Sequence, residues 1–149
     1  MEINNWLNNL RLGAKNSTAL VVHGPSGSGK SVAIKHVEKL ARFNVPARHV
    51  KLGDFGNMFF LDSVYRSPLL SVDINTNDHT LMMITDHIKP LLTESQLRVD
   101  RMGKSTVNVA NNINLIIHAD ARFVEQFESE RRFVFVQPMG LIAIANEVF

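Results

Sequence analysis

The sequence predicts an α/β domain with a mainly parallel five-stranded sheet, helices on both faces and an inserted β-hairpin. Three observations predict it. Short apolar runs, such as Ala19–Val22 and Ile113–His118, alternate with stretches of helical periodicity, and continuous apolar runs are the pattern of strands buried on both faces. A glycine-rich segment, Gly24 to Ser31, joins the first run to a helical stretch. Around Met102-Gly103-Lys104 two segments alternate apolar with polar residues, which marks a hairpin.

Taken in order, Glu2 to Arg11 reads as a short helix with Trp6, Leu7 and Leu10 on one side, and Leu12 to Ser17 as a connector. Residues 1–17 thus precede the domain proper, 18–149. Val32 to Phe43 is predicted helical, with Ala33, Val37, Leu40 and Ala41 on one face. It ends at Asn44-Val45-Pro46, because proline disfavours helical geometry in the residue before it. Ala47 to Leu52 is a second strand, and Gly53 to Tyr65 a loop leading into a short helix that buries Met58, Phe59, Phe60 and Leu61. Pro68 to Asp73 is a third strand ending in a carboxylate, placed beside the first. His79 to Lys89 is a helix with Leu81, Ile84 and Ile88 facing the core, ended or kinked by Pro90. After the hairpin (Leu97–Arg101 and Ser105–Val109) come a strand at Ile113–His118, a helix at Ala121–Ser129 and a strand at Arg132–Gln137. The C-terminal tail is expected to add a sheet edge.

The 149 residues suit one domain with a real core. Apolar residues make up 45% and charged residues 20%, and the formal charge is +2. Nucleic-acid binding would therefore need a local basic patch, not bulk charge. The chain has no cysteine, which excludes disulfides and thiolate metal sites and fits a reducing cytosol. No secretory signal is visible, and no apolar run approaches the ~20 residues of a spanning helix. A cytoplasmic protein with no membrane partner is expected.

Gly24-Pro25-Ser26-Gly27-Ser28-Gly29-Lys30-Ser31 matches the phosphate-binding pattern G-x-x-x-x-G-K-[ST]. Glycines let the backbone approach a polyphosphate closely. Successive amides then form an anion-binding concavity, reinforced by the positive end of the following helix. Lys30 supplies a point charge for β- and γ-phosphates and Ser31 a hydroxyl for Mg²⁺. Asp73, ending a buried strand, is the expected second metal contact. ATP with Mg²⁺ is the expected cofactor pair. The six histidines show no metal-ligand spacing, and His23 and His118 read as strand-end residues.

The order of these segments, with Leu92-Thr93-Glu94 before the hairpin and Arg131-Arg132-Phe133 after the fourth apolar run, resembles the ATPase module of superfamily-three helicases, in the phage and plasmid primase–helicase group. The resemblance spans Thr18 to Gln137. It implies a P-loop NTPase of AAA+ type, a three-layer sandwich that assembles into a homo-oligomeric, hexameric ring acting on single-stranded DNA. Arg101 and Lys104 match the basic positions of a pore hairpin. Asp120 matches a polar sensor, and Arg131 or Arg132 matches the arginine that reaches a neighbour's nucleotide. Primase or origin-binding functions are expected on partner chains.

Two departures from that pattern predict slow hydrolysis. Asp73 is followed by Ile74, where a second acid would orient the attacking water, so Asp78 or Glu94 would have to substitute. Asp120 stands where asparagine is usual, and its charge would oppose a γ-phosphate without Mg²⁺ or Arg122 between them. Two other readings stay open: a small-molecule or nucleotide kinase, disfavoured by the lack of arginine from Thr76 to Glu94, and a nucleotide-binding assembly subunit without turnover.

Overall fold

Residues 2–149 are described by a computed structural model. Strand β1 (Ala19–His23) is buried from Ala19 to Val22. It lies between β6 (Asn114–Ala119) and β7 (Phe133–Val136). Beyond β6 come β3 (Leu69–Asp73) and then β2 (Arg48–Lys51), and every pairing in this five-stranded sheet is parallel. The strand carrying Asp73 is therefore not the neighbour of β1, as the sequence suggested, because β6 intervenes. β6 is buried at five of its six positions, whereas β2 is largely exposed. The more apolar strand takes the interior slot and the charged strand goes to the edge.

Alternation within the strands divides the core between the two faces. Leu20, Val22, Leu69, Ile116, Val134 and Val136 face one side. There they meet α1 (Glu2–Arg11), α2 (Lys30–Ala41) and α7 (Pro138–Val148) through Trp6, Leu7, Ile34, Val37, Leu141 and Ala145. Ala19, Val21, Leu70, Val72, Leu115 and Ile117 face the other side. They pack on α3 (Phe60–Val64), on the helical stretch from Thr80 to Thr93 and on α6 (Ala121–Phe127). This is the three-layer sandwich expected.

Four local expectations need correction. The tail is helix α7, not an edge strand. Pro138 opens it at a position where a missing N–H costs nothing, and Leu141 and Ala145, one turn apart, reach the core. Pro90 does not end its helix. α4 (Thr80–Met83) passes through a π turn (Ile84–Ile88) into α5 (Lys89–Thr93), and the widened turn relieves the clash a proline ring makes with the preceding turn. Leu81 points to solvent while Ile84 and Ile88 are buried, because the buried face runs through Thr80, one turn before Ile84. Met58 is also exposed; Phe55, in a 3₁₀ turn at Leu52–Gly56, takes the core position.

The hairpin forms as expected, from β4 (Gln96–Val99) and β5 (Val107–Ala110), antiparallel and separate from the main sheet. Buried amides and a lysine fasten its root. Asn111 Nδ2 donates to the carbonyls of Leu91 and Glu94, and Lys15 Nζ donates to those of Leu91 and Ile113. Burial pulls the Lys15 pKa down to about 8.

Candidate functional site

The carboxyl ends of β2, β3 and β6 and the first turns of α2 border one cavity of about 550 Å³ whose lining includes Ser31, Lys35, His49, Asp54, Asp73 and His118. The glycine loop follows β1 and opens α2. Gly29, the residue before the helix, has φ +91°, and no side chain caps the first amides. Those N–H groups have no side-chain partner, the arrangement that helix N-termini with anion sites share. A Cβ on Gly24 would lie 2.6 Å from Ser28 Oγ, so the loop's start admits only glycine without rearrangement.

Lys30 Nζ donates to the carbonyls of Gly24 (3.0 Å) and Ala119 (3.2 Å). Among the described residues no carboxylate pairs with this ammonium charge. Its partners are two neutral carbonyls, which phosphate oxygens can replace. That charge also reaches its neighbours. Burial and Lys30 both hold His23 below its ordinary pKa. Burial lowers His118 as well, with Asp73 raising it and Lys30 lowering it further.

Ser31 and Asp73, paired in the sequence reading, do line the same cavity. His118 was not anticipated there. It stands opposite both Val22 of β1 and Asp73 of β3 in the sheet register, with Nδ1 3.4 Å from Asp73 Oδ1. Its position is visible in sequence only as the last polar residue of an apolar run.

Asp120 lies just beyond β6 and is committed locally. Its Oδ1 accepts from Thr76 Oγ1 (2.6 Å) and from the Phe123 amide (2.8 Å), capping α6, while Oδ2 accepts from the Thr76 amide (2.9 Å). Burial alone would raise its pKa. The bonds from Thr76 and Phe123 and the charge of Arg122 outweigh that and pull it below the ordinary carboxylate value. With both oxygens engaged, the structure ties the loops after β3 and β6 together through Asp120. The Ile74 amide adds a bond to the His118 carbonyl (3.1 Å).

The remaining residues lie apart. Asp78 is exposed before α4, and Glu94 lines a second cavity between the 3₁₀ turn, α5 and β4; neither lines the cavity of Ser31 and Asp73. Arg131 and Arg132 precede β7, which runs parallel to β1. They are therefore at the opposite end of the sheet from the glycine loop: the register sets Arg132 beside Thr18, roughly 20 Å of strand from Gly24 at ~3.3 Å per residue. At the hairpin tip Lys104 is exposed, whereas Arg101 Nε donates back to the Ser105 carbonyl (2.9 Å).

Fold and site together define a parallel α/β domain with a glycine loop at the carboxyl end of an interior strand. The chain belongs to the DUF5906 family, described as a family of unknown function, whose model matches residues 22–132. Solved structures with the same fold include the apo structure of the NrS-1 C-terminal region (305–718), at TM-score 0.72 and 18% identity, covering 99% of this chain and 38% of that one. An A-form apo structure of that region gives TM-score 0.71 and 19% identity with the same coverage. A third gives 0.69 and 18%, covering 99% of this chain and 37% of the other. The chain thus spans less than two-fifths of the structures it resembles. No curated protein matches it.

Proposed function

We propose that this chain is a nucleotide-dependent motor module: an ATP-binding, ATP-hydrolysing domain of superfamily-three helicase type that acts on single-stranded DNA in phage or plasmid replication. The observation that carries the reading is that Ser31, at the start of α2, and Asp73, at the end of β3, line one cavity, next in sequence to Lys30, whose ammonium is held by the Gly24 and Ala119 carbonyls, and to helix amides that no side chain caps. The residues fit the groups required. Gly24 to Ser31 would wrap the phosphates, with Lys30 on the β- and γ-phosphates. Ser31 and Asp73 offer the oxygen donors that Mg²⁺ takes. Mg²⁺ commonly takes one or two protein oxygens and completes its shell with phosphate and water. Bound there, the ion would neutralise charge on the phosphates.

Asp120 acts in this reading by fixing the geometry of Asp73 and His118, through its hold on the loops behind them. Arg131 and Arg132 are remote from their own loop, and in this reading they serve a neighbouring subunit's nucleotide in a ring. Lys104, with the free nitrogens of Arg101, would follow the DNA backbone. No helix among the described residues is long and apolar enough to cross a membrane, and nothing in the reading calls for one.

The test is mass photometry and ATP hydrolysis with and without single-stranded DNA. The reading expects larger assemblies with a nucleotide analogue and DNA together, and hydrolysis stimulated by DNA. A monomer that phosphorylates a nucleotide acceptor would select the kinase reading, and assembly with tight ATP binding but no turnover would select the assembly-subunit reading.

A further inference from the structure

We propose that His118 holds the water that attacks the terminal phosphate, in the role that a second acidic residue after Asp73 would otherwise fill. The inference rests on the nucleotide reading above and adds a residue to its chemistry.

The structure removes the carboxylates that could have done this. The position after Asp73 is Ile74, 2% exposed and turned into the core. Asp78 and Glu94 lie outside the cavity, and both oxygens of Asp120 are engaged by Thr76 and Phe123. Asp54 does line the cavity, but from beyond edge strand β2, and its Oδ2 accepts the Lys51 amide (2.9 Å). His118 remains. It belongs to β6, the strand between the one that carries the glycine loop and the one that ends in Asp73, and it lines the cavity with Ser31 and Asp73.

Its chemistry fits the place. Nδ1 lies 3.4 Å from Asp73 Oδ1, an ion-pair distance; in the tautomer with its proton on Nδ1, Nε2 carries the lone pair that accepts a hydrogen bond from water. The backbone bond from Ile74 to the His118 carbonyl and the double hold of Asp120 on Thr76 fix the two strand ends relative to each other. In the step this supports, the water oxygen bonds to the γ-phosphorus as the bond from that phosphorus to the β–γ bridging oxygen breaks. The electron pair leaves with ADP, and both water protons end on the released phosphate, as dihydrogen phosphate. His118 orients the water and is itself unchanged.

The test separates binding from turnover in the full chain assembled on single-stranded DNA. Affinity for the Mg²⁺ complex of the β,γ-imido analogue of ATP is measured by calorimetry alongside steady-state hydrolysis, for wild type, His118→Ala and His118→Gln. Analogue affinity should stay within about threefold while kcat falls on the order of 100-fold in His118→Ala, the usual scale for losing such a group. His118→Gln should recover part of the rate, since its carboxamide oxygen accepts the same bond. In wild type the His118 ring nitrogen resonances should shift when Mg²⁺·ADP is joined by aluminium fluoride, which places a water in line, and not with Mg²⁺·ADP alone. Should His118→Ala fail to fold, the His118→Gln rate and the ring resonances decide. Wild-type turnover in the variants, unmoved ring resonances, or a wild type that binds the analogue but hydrolyses nothing would each overturn the role of His118 and leave nucleotide binding standing. A wild type that binds no analogue would remove the nucleotide reading itself.

Discussion

At the scale of single residues, Asp120 shows how a carboxylate near a phosphate site can be structural. In sequence it is simply an acid after an apolar strand, and the family resemblance gave it a ligand-facing part. The folded chain gives it three donors instead, from residues 76 and 123, and sequence separation hides that pairing. The placement of Lys30 and Ser31 was legible because a glycine loop and the helix it opens are contiguous in the chain. That of His118 was not, since the pairing of β6 with β3 is what brings it beside Asp73. Asp120→Ala should lower unfolding free energy by about 1–2 kcal/mol through loss of the cap alone. The folded-state pKa of Asp120 lies below its ordinary value. Its contribution is therefore present above the unfolded-state value of about 3.9 and lost as pH falls through the lower folded value. Urea unfolding of wild type and variant should differ at neutral pH and converge in acid, and a gap that persists unchanged into acid would contradict this account.

At the scale of elements, every strand of the sheet and the hairpin could be read from apolar runs, alternation and Gly103. The errors fell where tertiary packing overrides a local signal. Pro90 reads as a stop or a kink, and the helix runs on through a π turn without stopping. The last stretch, rich in Ile and Ala, reads as a possible strand, but α1 and α2 provide an apolar surface for its helical face, and Pro138 starts the helix. The hairpin is a rigid arm because Lys15 and Asn111 hold its root and Arg101 and Asp100 structure its tip, the latter accepting from Thr106 Oγ1 (3.0 Å). Replacing Arg101 and Lys104 together with alanine should weaken single-strand binding and reduce the slope of log affinity against log salt by about 1–1.5, the amount two lost phosphate contacts carry on a single strand. An unaltered slope would show that the contact lies elsewhere.

At the scale of the whole molecule, the parallel sheet sets a polarity. The glycine loop, Asp73 and His118 gather at the carboxyl ends of the strands, and Arg131 and Arg132 sit at the amino end of β7. The sheet thus carries the glycine loop at one end and two arginines at the other, and the proposed head-to-tail ring would bring one subunit's arginines to the next subunit's loop. Mixing wild type with a variant in which both arginines are alanine should depress ATP hydrolysis more than in proportion to the variant's share, because each altered subunit disables its neighbour. Strictly proportional loss would mean that subunits act independently.

All of this depends on the loop from Gly24 to Ser31 gripping a triphosphate through main-chain amides and one lysine. Calorimetric titration of Mg²⁺·ATP into wild type and Lys30→Ala tests it directly. The account predicts saturable one-to-one binding by the wild type and a loss of about 10- to 100-fold in the variant, the range for a charge-assisted contact of ~1.5–3 kcal/mol. Equal affinity in the two proteins, or no heat of binding from the wild type, would contradict it.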